Sequence, residues 1–222
     1  MKTPLTKERL RTHFSYSLWK YALLAVLAIF GWNILYSVTQ PQVPEEKKII
    51  VGVYAPYAAE ENLNAYMENV RSELMPDMEE MLASIMMADD MYGDMILSTR
   101  IVARECDIYV LPRTQFQSYA AQGAFMPLEE VLPDLIADLE TAGISLSRGN
   151  RVNNELGGEK HQYAIPCADL PGIMPLLQCD TRDMYLAIFA DTGNDENVVK
   201  FFDQFVRDMM AEPVIVTQEA TR

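Results

Sequence analysis

The chain has 222 residues, a net charge of −14, three cysteines and two histidines. With two histidines and no CxxC, GxSxG, GxGxxG or P-loop pattern, zinc sites of His and Cys, Ser-His-Asp catalysis and nucleotide cradles lack their residues. An acidic chain without a basic patch interleaved with aromatics is repelled by nucleic acid, so neither a nucleic-acid partner, an enzyme activity nor a cofactor is expected.

Residues 1–20 carry Lys2, Lys7, Arg9, Arg11 and Lys20 against Glu8, a net +4 that leaves −18 for the rest of the chain. Residues 21–38, YALLAVLAIFGWNILYSV, hold no charge. As a helix this run spans roughly 27 Å, enough to cross a hydrocarbon core of about 30 Å. Trp19, Tyr21, Trp32 and Tyr36 suit the two interfacial belts. A cleaved signal peptide has a shorter apolar region and an A-x-A-like site; neither is present, and no cysteine follows to take a lipid. The basic excess before the run predicts a single-pass membrane protein with its N-terminus in the cytoplasm and the rest outside the cell.

The expected organisation is a cytoplasmic basic tail at 1–20, a transmembrane helix at 21–38, a linker at 39–47 stiffened by Pro41 and Pro44, an extracellular α/β domain at 48–211 and a flexible tail at 212–222. Within the domain, IIVGVYA (49–55) reads as a buried strand. Leu63, Tyr66, Met67, Val70 and Leu74 form a helical stripe stopped by Pro76. MLASIMM (81–87) is a second strand. Tyr92, Met95, Ile96, Thr99, Val102 and Ala103 repeat the stripe and predict a helix packed on the core through them. CDIYVLP (106–112) is a strand, 114–122 a helix ended by Gly123, and 133–142 a short helix. The polar stretch 143–160 reads as a surface loop or hairpin. Strands follow at 162–166 and 184–190, then a helix at 195–210 capped by Asn194. Alternating strands and helices imply one lobe with a mostly parallel sheet flanked by helices.

In such sheets ligands bind beyond the carboxyl ends of the strands. That edge would hold Tyr54, Pro56 and Tyr57, then Pro112 and Arg113, then Pro166 and Asp169. Tyr57, Arg113 and Asp169 are the candidate ligand-binding residues, Arg113 because a guanidinium directly after a buried strand can meet an anion. Cys167 and Cys179 are a candidate disulfide, which an external compartment permits; all three cysteines fit equally as small buried apolar residues. The acidic clusters Asp89–Asp90–Asp94 and Glu129–Glu130 read as solvated faces. DTGNDEN (191–197) lacks the glycine and glutamate that a calcium loop requires.

DIYVLPRTQFQSYAAQGAFMPLEEVLP (107–133) resembles the family 1 extracellular solute-binding proteins of ABC transporters, whose strand, short helix and G-x-x-x-PL-(D/E) element are matched by Gly123, Pro127, Leu128 and Glu129. QYAIP (162–166) is similar to the strand that follows there, and 184–206 is similar to a late segment of the family. The resemblance implies one lobe of a periplasmic-binding-protein fold in a minimal, membrane-anchored form. Fewer than 30 residues separate QYAIP from the last helix, which leaves little room for a second lobe. Two functions follow as expectations: a non-enzymatic module that binds a small solute or peptide or serves a membrane transporter, or an interaction or envelope domain with no small ligand that associates with another membrane protein.

Overall fold

The computed structural model describes residues 7–39, 43–88, 92–146, 151–153, 158 and 160–211, and the chain separates into two compact units, 1–42 and 43–222. The expected tail 212–222, Asp89, Asp90 and much of the 143–160 loop lie outside the described residues. The first unit holds one helix, α1 (Lys7–Thr39). It starts well before the apolar run because 7–20 contains no proline or glycine to stop a helix. Trp19–Tyr36 is long and apolar enough to cross a membrane, by length and composition. Asn33 donates its amide to the Ile29 carbonyl at 3.2 Å, so this polar group is satisfied within its own helix.

The second unit runs β1 (Lys48–Ala55), α2 (Glu60–Leu74), β2 (Glu80–Met87), α3 (Gly93–Ala103), β3 (Ile108–Pro112), α4 (Arg113–Ala121), α5 (Leu128–Val131), α6 (Pro133–Thr141), β4 (Arg151–Asn153), β5 (Lys160–Gln162), β6 (Ala164–Pro166), α7 (Ile173–Leu177), β7 (Met184–Ile188) and α8 (Asp195–Met210). Among the described residues β4 and β5 form a separate hairpin, and five strands form one sheet in the order β2-β1-β3-β7-β6. β1 pairs in parallel with β2, Lys48 opposite Glu80 and Ala55 opposite Met87, and in parallel with β3. β7 runs antiparallel to both β3 and β6. Four of the five strands therefore point one way, and the fourth in spatial order is reversed, so the sheet is mixed.

Side chains alternate between two buried faces, as a pleated strand requires. On one face Ile49, Val51, Val53, Ile108, Val110, Leu186 and Ile188 meet apolar residues of α2, α6 and α8, among them Leu63, Met67, Leu139, Phe202 and Phe205. On the other, Tyr54, Tyr109, Leu111, Tyr185 and Phe189 meet Leu97 and Ile101 of α3 and Phe116 of α4. The result is a three-layer α/β unit with helices on both faces of the sheet.

Two sequence-based expectations are corrected. α3 forms, but it packs through Gly93, Leu97 and Ile101, and the stripe Tyr92, Met95, Ile96, Thr99, Val102 and Ala103 faces solvent. Gly93 explains the choice of face. A Cβ there would lie 2.7 Å from the Tyr54 hydroxyl and 2.8 Å from the Met87 carbonyl, so the helix rests closely on the sheet only along its glycine side. Asn194 precedes α8 without capping it. Its side-chain amide donates to the Lys48 carbonyl at 2.9 Å, which ties the start of α8 to the start of β1. The first turn of α8 is braced instead by Asp195, whose Oδ1 accepts from the Thr192 amide at 3.1 Å.

Candidate functional site

The reversal of β7 determines what gathers at one edge of the sheet. The carboxyl ends of β1, β2, β3 and β6 lie there together with the amino end of β7. Between β1, β3 and the entry to β7 lies an open groove of about 660 Å³. Its floor is apolar: Tyr54 and Ala55 at the end of β1, Pro56 and Tyr57 beyond it, Pro112 ending β3, and Met184 opening β7. Its lip is polar and comes from the segment leading into β7, Gln178, Cys179, Asp180, Arg182 and Asp183. A concave apolar surface with a few convergent polar groups is the usual form of a small-molecule site.

The walls are held by backbone. The Ala59 amide donates to the Leu177 carbonyl at 2.8 Å, and the Asn62 side chain donates to the Leu176 carbonyl at 3.3 Å, joining the β1–α2 loop and the first turn of α2 to α7. Gln178 turns the chain out of α7 at φ 52°, a left-handed conformation uncommon outside glycine that sets the direction of the lip. The Arg113 amide donates to the Asp183 carbonyl at 3.0 Å, fixing the lip to the start of α4. Beneath the floor the Tyr54 hydroxyl donates to Asp94 at 2.9 Å, and the same oxygen accepts from Gln115 at 3.2 Å. The ring of Phe116 stacks on Tyr185 with centroids 5.1 Å apart.

On the lip Arg182 is forked onto Asp180. Its Nε lies 2.8 Å from Oδ1, its Nη2 2.5 Å from Oδ2, and its backbone amide 3.1 Å from Oδ1. These bonds hold the Asp180 carboxyl down at about 2 from its ordinary 3.8. A depressed carboxyl supports the folded lip above pH 3.8, and that support is lost as pH falls through about 2. In a carboxyl-carbon NMR titration Asp180 is expected to titrate near 2, and Arg182→Ala should return it toward 3.8. An unchanged midpoint in the variant would remove this ion pair from the site.

Of the three candidate binding residues, Tyr57 lines the groove and is well exposed. Arg113 begins α4 next to the groove, exposed, and is not among its lining residues. Asp169, half-buried after β6, is also not among the lining residues. Arg113 and Asp169 nevertheless share one neighbour, the buried Tyr185. Burial raises its phenol, Arg113 pulls it down, and Asp183, Cys167 and Asp169 push it up. Cys167 and Cys179 are free thiols. Burial raises both, and the Cys167 thiol is raised further by the nearness of Cys179. The sequence reading missed the lip, residues 178–183, because QCDTRD follows neither a strand nor a helix period and so carries no pattern pointing to a site.

At the opposite edge a recess of about 570 Å³ is lined by Glu45, Lys48, Arg100, Arg104 and Glu105. Its charges pair locally: Lys48 with Glu45 at 3.7 Å, Arg100 with Glu105 at 3.6 Å, and Arg104 with Asp191 at 2.8 Å. Among the described residues no group of three or more His, Cys, Asp or Glu is placed to hold a metal ion.

No protein-family model matches the chain, and no curated protein matches it. Among solved structures it is similar to the N-glycan transport solute binding protein (NgtS) from Streptococcus pneumoniae in complex with Man5GlcNAc. The identity is 20% and the TM-score 0.36, over 53% of this chain and 24% of that one. The match thus spans about a quarter of that protein's length, and at that score it says nothing about what this groove binds.

Proposed function

We propose that the chain is a membrane-anchored, outward-facing, non-enzymatic module that binds a small solute or peptide at the carboxyl edge of its sheet, alone or in the service of a transporter. The groove itself carries the reading: an aromatic and proline-lined floor meets a polar lip at the place where open α/β sheets receive ligands. The test is thermal unfolding of residues 43–222 against sugars, amino acids and short peptides. A ligand at 100 times its dissociation constant stabilises by about 2.7 kcal/mol, roughly 5–11 °C for a domain of this size. Tyr57→Ala should diminish the shift. A folded domain indifferent to every compound would sink the proposal.

In an oxidising compartment the same reading includes a bridge between Cys167 and Cys179. Both thiols would lose hydrogen to a disulfide-bearing oxidase, stapling the groove's wall to the end of β6. Intact mass under non-reducing conditions should then fall by about two hydrogens, and Cys106 should alkylate alone on unfolding. Alkylation of three thiols would exclude the bridge.

One observation favours the alternative of an interaction domain. The outward stripe of α3 exposes Tyr92, Met95, Ile96 and Val102. Several large apolar side chains exposed on one helix mark contact sites. A stable oligomer or a co-purifying membrane protein that is lost with Met95→Glu would support it.

A further inference from the structure

We infer that the groove takes an organic cation, an amine or quaternary ammonium on an apolar body, in preference to a carboxylate or phosphate; this rests on the solute-binding reading above. The charges lining the groove are Asp180, Arg182 and Asp183. Arg182 is committed to Asp180 through a two-point fork, so an incoming anion would have to displace a carboxylate already seated in the best geometry a guanidinium offers. Asp183 is different. It is exposed, and its carboxylate takes part in no hydrogen bond or ion pair among the described residues, only its backbone carbonyl being engaged. The net charge presented to a ligand is therefore one negative group at the lip, while Arg113 stands outside the lining.

The floor suits the rest of such a ligand. Tyr57 offers an exposed ring beside Pro56, and the face of a tyrosine attracts an ammonium group within about 6 Å. Ala55, Pro112 and Met184 supply an apolar bed for an alkyl body, and the thioether of a methionine adapts to its shape. The long-range field acts in the same direction. Residues 43–222 carry a net −18, which raises the local concentration of cations and excludes anions.

The experiment uses the full chain in a neutral detergent, with spermidine, choline and arginine methyl ester as cations, glutamate and citrate as anions, and maltose as a neutral solute. At least one cation should raise the unfolding midpoint. Its affinity should fall about ten-fold in Asp183→Asn and should weaken in about 1 M salt, where charges are screened beyond ~3 Å. Glu61→Gln, which removes an exposed charge on α2 outside the groove lining, should leave it unchanged. Equal losses in Asp183→Asn and Glu61→Gln would reduce the effect to the domain's overall charge and overturn the inference. A response to maltose or to an anion that depends on Tyr57, with none to the cations, overturns the preference for cations and leaves the solute-binding reading standing. Silence toward every probe removes both.

Discussion

Removal of residues 1–42 is expected to release the remaining chain quantitatively from the membrane pellet, still folded. The full chain should stay in the pellet through alkaline extraction. Residues 21–38 are uncharged and as a helix are just long enough to span the hydrocarbon core. Every large apolar side chain described from Trp19 to Tyr36 is exposed, so no packed core would be lost with it. Residues 43–222 hold both apolar clusters and the whole sheet. Their net −18 opposes self-association and anionic headgroups. Sedimentation with circular dichroism checks both halves of the expectation. Residues 43–222 remaining in the pellet would place the attachment elsewhere, and a mature N-terminus found downstream of the apolar run would make that run a signal peptide.

Phe202→Ala should be the most damaging single core substitution. Phe202 is fully buried in the middle of α8, beside Val198, Phe201, Phe205 and Val206. Truncating such a ring costs about 3–5 kcal/mol, a large part of the roughly 5–15 kcal/mol that holds a domain together. The urea midpoint of residues 43–222 should fall accordingly, with an unchanged slope. Val102→Ala is the matched control. The residue is apolar and helical too, but it is 83% exposed, so its change should stay within about 0.5 kcal/mol. A comparable loss in both would contradict the outward orientation of the α3 stripe.

That pair of substitutions also marks where the sequence is legible. In α8 the apolar residues occupy one face only, and periodicity alone locates both the helix and its buried side. In α3 both sides are apolar: Leu97 and Ile101 on one, Met95, Ile96 and Val102 on the other. Periodicity then establishes a helix without choosing its inner face, and the choice passes to Gly93, whose lack of a side chain matters only against the tertiary neighbours Tyr54 and Met87. β7 poses the same difficulty for direction. MYLAI is apolar throughout, so nothing in it distinguishes parallel from antiparallel entry. The floor of the groove, at the ends of β1 and β3, could be anticipated because strand ends are readable. The lip could not, because it reaches the site only through the reversal of β7.

Asn194 shows a third kind of limit. Its type and position suit a helix cap, and in the fold its amide is taken by Lys48, a residue far away in sequence. Local chemistry names what a side chain can do, and the distant partner decides which of those it does.

The place of β7 in the sheet has a consequence for the order of assembly. β1, β2 and β3 can pair as they are made, whereas among the described residues β6 has β7 as its sole neighbour in the sheet. Synthesis therefore passes through a stage in which three strands are zipped together and β6 waits, its edge open, for a strand made later and inserted between it and β3. Pairings that join distant parts of a chain form slowly because the intervening loop must first be closed. The groove draws on residues 54–57 and 178–184 at once, so it is among the last features to exist. A nascent chain cannot form this groove before the domain around it is nearly complete.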